Sequence, residues 1–427
     1  MTKRWKIKEP APAEIVERLT KDVKVSLVIA NLLYHRGITN YDEAKLFFRP
    51  QLEHLHDPFL MKDMDKAIVR IEKAIKDGEK ILVYGDYDVD GTTSVALVYS
   101  FLFSFYKNLD YYIPDRYKEG YGISTAGIDF AKENNFSLII ALDCGIKAID
   151  KVAYANENGI DFIICDHHLP GEKIPEAVAV LDPKRKDCNY PYKELSGCGI
   201  GFKLVQAFAQ KNNIPVETLE QYLDLAVISI AADIVPITGE NRILAYYGIK
   251  RLNNSPRAGI RAMLELTSMK KELTITDIVF VIGPRINAAG RMESGKKAVE
   301  LLISSTSETA TESGIYLNKN NSDRRDLDVY TTQQALAMIS ESPTLQQKKT
   351  TVLFDPNWHK GVIGIVCSRL TETYYRPTIM LTQSNGVVSG SARSVKDYDI
   401  YEAISACSDL LEQFGGHKFA RHHAIFL

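Results

Sequence analysis

The chain has 427 residues, enough for two to four folding units of roughly 100–200 residues each, which excludes a peptide hormone, a disulfide miniprotein or a lone binding module. Its 45% hydrophobic and 25% charged residues, with 26 Gly and 16 Pro spread along the chain, match ordinary globular usage and exclude extensive disorder. With 52 Lys and Arg against 54 Asp and Glu the net charge is -2, so no bulk positive field draws in a polyanion, and affinity for nucleic acid has to come from a local patch.

In chain order, residues 1–20 mix charges with Pro10 and Pro12 and hold no apolar run of the kind a signal peptide carries. Residues 25–48 and 64–76 carry apolar side chains at helical spacing, predicting a helical N-terminal cap over 1–60 and a helix leading into the next unit. From Lys80 the short apolar runs KILVYG, DYYIP, SLIIALD, DFIICD and AVAVLD alternate with helical segments such as 92–107 and 147–158. That alternation predicts an α/β domain, a mainly parallel sheet flanked by helices, over 61–304. Residues 197–212, 218–232, 241–252 and 257–266 read as a helical insert in the same unit. Residues 305–340 are polar and poor in Gly and Pro, which predicts a long connecting helix, within 305–345, exposed on most sides. Beyond it TTVLFD, a helix over 361–373, PTIMLT, GVVSGSA and a helix over 401–412 predict a second, smaller α/β domain over 346–427. The longest apolar stretch, 94–106, is shorter than the ~20 helical residues needed to cross a bilayer. The six cysteines show neither CxxC spacing nor the density of a disulfide scaffold, so a reducing compartment and a cytoplasmic location are expected.

Functional groups of an open parallel sheet collect at the carboxyl ends of its strands. Four clusters fall there or nearby: Asp86, Asp88 and Asp90 in GDYDVDG; Asp143 after SLIIAL; Asp166, His167 and His168 after DFIIC; and Asp233 after the helical LAVISIAA. Read as an extended segment, GDYDVDG points its three aspartates the same way. It is not an EF-hand loop, whose twelfth position is a bidentate Glu where this chain has Leu97. Nor is it a P-loop, since it has five residues between Gly85 and Gly91 and no lysine. Carboxylates at this density retain protons or cost stability unless a cation neutralises them, and oxygen ligands with one or two imidazoles suit magnesium or manganese. Two such ions roughly 3.5–4 Å apart are the usual arrangement for hydrolysing phosphate esters, with one carboxylate bridging them; Asp143, alone at its strand end, is the natural bridge. Taken singly, each residue has a plainer reading: Asp86 as a helix cap or turn residue, and His167 and His168 as a hydrogen-bonded pair. Four clusters in one βαβ unit favour the metal.

These clusters resemble the DHH phosphoesterases, named for the triplet seen here as Asp166, His167 and His168. VYGDYDVDG, ALDCG, CDHH, SGCGIGFKL, AADIVPITGENR and IGPRINAAGRM stand in the order found in the family's single-strand-specific 5′ to 3′ DNA exonucleases. The resemblance implies two divalent cations, Mn2+ or Mg2+, one on Asp88 and Asp143 and the other on Asp90, Asp143, His167 and Asp233. It also implies His168 facing the scissile phosphate, with Asp86 and Asp166 as further catalytic candidates. A histidine that some relatives carry four residues before Asp88 is Tyr84 here, so the first ion leans on water or Asp86. Arg285, Asn287 and Arg291, in what reads as a Gly-punctuated loop, serve backbone phosphates or structural ion pairs with equal weight. Arg116, Ser391 and Arg393 are expected to grip a 5′-terminal phosphate, and Gly415, Gly416 and His417 to form the glycine-histidine element of the DHH-associated C-terminal domain. The implied partners are single-stranded DNA, a single-strand-binding protein and a helicase. After HKFA the family pattern continues with a small-residue strand and an oligonucleotide-binding barrel where this chain reads RHHAIFL, so an incomplete C-terminal domain is expected. The competing readings are a DHH phosphodiesterase acting on short oligonucleotides or cyclic dinucleotides, and a catalytically silent DNA-binding scaffold.

Overall fold

The computed structural model describes residues 5–417 and 420–426 apart from 268, 270 and 385, with side chains described as far as Leu411. Helices α1 (Ala13–Val23), α2 (Leu27–Tyr34) and α3 (Tyr41–Phe48) form the N-terminal cap around their own small core of Val16, Leu19, Ala30, Leu33 and Ala44. The apolar periodicity of 25–48 belongs to two helices rather than one, because Asn40 caps α3 by accepting from Glu43 N at 2.9 Å.

After α4 (Met64–Asp77) come β1 (Lys80–Gly85), α5 (Val89–Phe103), β2 (Leu109–Tyr112), α6 (Thr125–Glu133), β3 (Phe136–Leu142), α7 (Ile149–Glu157), β4 (Asp161–Cys165) and β5 (Ala179–Leu181). The strands form one sheet in the order β2-β1-β3-β4-β5, with every pair parallel. Alternate residues feed two cores. Ile81, Val83, Leu138, Ile140 and Ile163 pack toward α4, α5 and the helical insert, while Leu82, Tyr84, Ile139, Phe162 and Ile164 pack with residues of α6 and α7 on the opposite face. Burial on both faces is why these strands read as continuous apolar runs.

The insert comprises α8 (Gly197–Lys211), α9 (Leu223–Ala232), α10 (Gly239–Asn254) and α11 (Ala258–Glu265). A short α12 (Ile275–Asp277) then runs through a π-helical turn (Ile278–Ile282) into α13 (Gly283–Met292), followed by α14 (Lys296–Ile303). IGPRINAAGRM is therefore helical rather than a loop, with Pro284 in the first turn, where its missing N–H costs nothing.

The connecting helix α15 (Ser307–Ser340) is present, but it is not exposed on most sides. Ala310, Gly314, Leu317, Asn321, Asp328, Thr331 and Ala335 form a buried stripe at helical spacing, packed against α11 and α13 on one side and α17 of the second domain on the other. Small and polar residues make up most of that stripe, so it leaves little hydrophobic periodicity. Arg369 fastens it to the second domain, reaching Asp328 Oδ2 at 3.0 Å and Thr332 Oγ1 at 2.8 Å.

Beyond α16 (Pro343–Gln347) lie β6 (Thr351–Phe354), α17 (Lys360–Tyr374), β7 (Thr378–Ser384), β8 (Val387–Arg393), α18 (Ile400–Ser405), β9 (Leu411–His417) and β10 (Ala420–Phe426). They form a second five-stranded sheet, β6-β7-β8-β10-β9, in which only β6 and β7 run parallel. The helix expected over 401–412 ends at Ser405: Leu411, where the chain turns into β9, joins Ala392, Ile400 and Ile404 in a small core. No helix among the described residues is long and apolar enough to cross a membrane.

Candidate metal centre and anion cleft

GDYDVDG is not extended. Asp86 directly follows β1, Asp88 is the N-cap of α5 and accepts from Gly91 N at 2.9 Å, and Asp90 lies in the first helical turn. The capping role suggested for Asp86 therefore belongs to Asp88. Asp86 is fully buried, with one oxygen 3.4 Å from Gly122 N and the other without a hydrogen-bond partner.

Asp90 is held by donors from distant segments: Gly197 N at 2.7 Å, Cys198 N at 2.8 Å and Ser229 Oγ at 2.7 Å. The first two amides open α8, so the positive end of that helix faces the carboxylate. SGCG thus supplies Ser196 as the cap of α8 and small residues beyond it. At Gly197 a Cβ would lie 2.6 Å from Asp143 Cβ and 2.8 Å from its Oδ1, so only glycine admits Asp143 here. Gly197→Ala is expected to cost about 1–3 kcal/mol through overpacking and to displace Asp143 from the cluster, weakening the binding of a divalent cation there. Denaturant melts and calorimetric titration with Mn2+ check both effects.

Asp143 follows β3 in the left-handed region, φ +60°, and its Oδ1 is buried without a hydrogen bond. His167 Nε2 stands 3.2 Å from that oxygen, 3.7 Å from Asp90 Oδ2 and 3.6 Å from Asp233 Oδ2, yet neither ring nitrogen has a hydrogen-bond partner. Two sets come within 4.8 Å, Asp143 with His167 and His168, and Asp90 with His167 and Asp233, so the residue they share is His167. Burial and the charges of Asp90, Asp88 and Asp233 push Asp143 well above the usual carboxylate range, and burial with Asp90 and Asp88 pushes Asp233 up to about 8. Asp88 and Asp86 are raised too, by burial and by Asp90 and Asp88 respectively. Burial lowers His167, keeping its imidazole neutral. Mutually repelling carboxylates, a neutral imidazole and buried oxygens lacking partners are the donor set that a divalent cation satisfies.

Asp166 has a different function in the fold. It accepts from Ile146 N at 2.9 Å, His167 N at 2.7 Å and His168 Nδ1 at 2.8 Å. Against the opposing effect of burial, these bonds hold Asp166 down at about 2 and His168 up at about 9, so His168 carries its proton at neutral pH. Its Nε2 lies 3.2 Å from the hydroxyl of Tyr121, a residue to which sequence reasoning assigns no role. Tyr84 donates to Gly122 O at 2.9 Å and accepts from Ser124 N at 3.1 Å, within the opposite core.

Arg116, Arg291, Lys360, Gly364 and Ser391 line a cleft where the start of α17 meets α13 and β8. Arg393 adjoins it, donating to Ser391 Oγ at 3.1 Å and Ser368 Oγ at 3.0 Å. Burial and the neighbouring Arg116, Arg324 and Arg393 push Arg291 down to about 9, and burial with Arg116 lowers Lys360. Crowded cations of this kind mark a place for an anion. Lys360, which sequence reading places only at the start of a helix, reaches the cleft from the second domain, as Ser391 does. Gly361 lets the domains close there: a Cβ would run into Arg291 O, which also accepts from Tyr117 OH, while Arg291 Nη1 donates to Gly361 O at 3.0 Å. Arg285 lies outside the cleft, donating to Asn318 Oδ1 at 3.0 Å and Val281 O at 2.8 Å within the helical packing; Asn287 is half-buried on the same helix. The His417 side chain lies outside the described residues.

Residues 80–230 match the model of the DHH family, N-terminal domain, and residues 347–421 that of the DHHA1 domain. The chain is 39% identical to the single-stranded-DNA-specific exonuclease RecJ of Bacillus subtilis over 98% of its own length and 52% of that protein's. It is 33% identical to RecJ of Escherichia coli over 95% of its own length and 73% of the other's. The crystal structure of RecJ in complex with Mn2+ from Thermus thermophilus superposes with a TM-score of 0.86 at 29% identity, covering 99% of this chain and 60% of that one. The chain thus spans about half the length of the Bacillus subtilis relative.

Proposed function

The chain belongs to the RecJ family, with its DHH and DHHA1 domains, and on that premise we propose that it is a divalent-cation-dependent exonuclease. It degrades single-stranded DNA from the 5′ end to 5′-mononucleotides, in the cytoplasm, as part of DNA repair and recombination. A single-strand-binding protein and a helicase are its proposed partners. The observation that carries the reading is the position of Tyr87: it lies between Asp86 and Asp88 in the chain, and its ring centroid is 4.8 Å from the Arg116 guanidinium. Carboxylate cluster and cationic cleft thus share one short segment, as an enzyme needs if it is to hold a terminal phosphate and cut the next phosphodiester.

Asp88, Asp90, Asp143, His167 and Asp233 would hold two cations, Mn2+ or Mg2+, with the partnerless oxygen of Asp86 in support. When bound, the ions lower the pKa of water and neutralise charge developing on the phosphate. The protein does the rest. Asp90, fixed by the α8 amides and Ser229, and Asp143, fixed by its left-handed backbone, give the site a geometry that does not have to reorganise. His168, oriented by Asp166, donates a hydrogen bond to a non-bridging oxygen of the scissile phosphate. Water attacks in line and the 3′ oxygen of the terminal nucleotide leaves. Arg116, Arg291, Lys360, Ser391 and Arg393 hold the 5′-phosphate, which sets polarity; Arg285 acts in helix packing instead.

A labelled long single strand and a dinucleotide, each incubated with the chain and manganese, test the reading. Release of mononucleotide from the long strand alone is expected. Cleavage of the dinucleotide alone would assign the chain to short substrates, and cleavage of neither would leave a silent scaffold.

A further inference from the structure

Ile234 follows Asp233, the C-cap of α9, with φ +58°, and is 80% exposed. The left-handed position after a helix is ordinarily filled by Gly or Asn, because a Cβ there crowds the backbone and branching at Cβ worsens the crowding. The side chain gains almost no burial in return. Two further exposed apolar residues stand on segments that adjoin the cluster or pack on α9. Leu169, 71% exposed, follows His168, and Phe280, 73% exposed, sits on the π-helical turn that packs against α9. That turn ends at Gly283, where a Cβ would lie 3.6 Å from Ala232 Cβ, two residues before Ile234. A strained backbone position next to Asp233 and a π turn packed on α9, both presenting apolar groups to water, are features associated with ligand contact.

We propose that Ile234 is a substrate-contact residue for the nuclease reaction, an inference that rests on the reading given under Proposed function. Ile234 gives the sugar and base of the nucleotide bearing the scissile phosphate an apolar rim to lie against. Such a rim makes no hydrogen bond to a base edge, so it accepts any sequence, and it needs an unpaired base whose face is free. The strained turn keeps the side chain beside Asp233 when no substrate is bound.

Ile234→Asn suits the left-handed backbone and removes the apolar surface. Its melting temperature is expected to rise by roughly 1–3 °C. Its affinity for a fluorescent oligo-dT, measured in Ca2+ by anisotropy, is expected to fall roughly fivefold to tenfold, with KM in Mn2+ rising in parallel. Ile234→Val keeps wild-type affinity, and Ile234→Gly, a second variant free of strain, loses affinity as the Asn variant does. A stabilised Asn or Gly variant that binds like wild type overturns the contact, and so does a variant that loses stability, since Ile234 would then be a packing residue. A wild-type chain that neither binds nor degrades the single strand overturns the nuclease reading itself, and the contact with it.

Discussion

Asp143→Asn is expected to lose on the order of a thousandfold in cleavage rate and, in metal-free buffer, to melt at a higher temperature than the parent. The first effect follows from removing an anionic ligand at the centre of the cluster: a bound cation contributes several kcal/mol to the transition state, and each ~1.4 kcal/mol is a factor of ten. The second follows from burial and repulsion. Burial, and then the charges of Asp90, Asp88, Asp233 and Asp166, push the Asp143 carboxyl well above the usual range, and a neutral amide is free of both the desolvation cost and the repulsion. Asparagine keeps the volume and tolerates the left-handed backbone at φ +60°, so the fold is preserved. Calorimetry in EDTA reads the stability and single-turnover kinetics in Mn2+ the rate. Full activity, or a variant less stable than the parent, would count against a cation-centred site.

Arg393→Ala is expected to erase the preference for 5′-phosphorylated over 5′-hydroxyl ends. A charge-assisted hydrogen bond contributes about 1.5–3 kcal/mol, roughly tenfold to a hundredfold in the ratio of the two rates. The ratio is the appropriate readout because Arg393 also bonds to Ser391 and Ser368, and any loss of packing slows both substrates alike. Arg393→Lys retains the charge but not the planar fork, so an intermediate ratio is expected. An unchanged ratio in the Ala variant would remove Arg393 from the end-recognition site.

The first sheet was legible because parallel strands buried on both faces appear as unbroken apolar runs, and the candidate site residues stand where those runs stop: Asp86, Asp143 and Asp166 each follow a strand. Conformation within the loops was less legible. GDYDVDG looks extended by its alternating acids, yet Asp88 and Asp90 are a helix cap and a first-turn residue, a distinction that depends on the hydrogen bond to Gly91 N. IGPRINAAGRM looks like a loop because of its glycines, which in fact permit close packing of α13 against Tyr87 and other neighbours. The buried face of α15 was hidden because Asn321, Asp328 and Thr331 carry none of the apolar signal that marks a core. Lys360 lies in the cleft only because the two domains meet there, and a contact between distant segments leaves no local pattern. The left-handed turn at Ile234 was equally silent, since the residue type argues against the conformation it adopts.

Anomalous scattering from crystals of the chain soaked in manganese addresses the metal centre directly. Two peaks roughly 3.5–4 Å apart are expected, bounded by Asp88, Asp90, Asp143, His167 and Asp233. Manganese absent from those side chains, or bound solely at other positions on the surface, would contradict the two-cation site and the nuclease chemistry built on it.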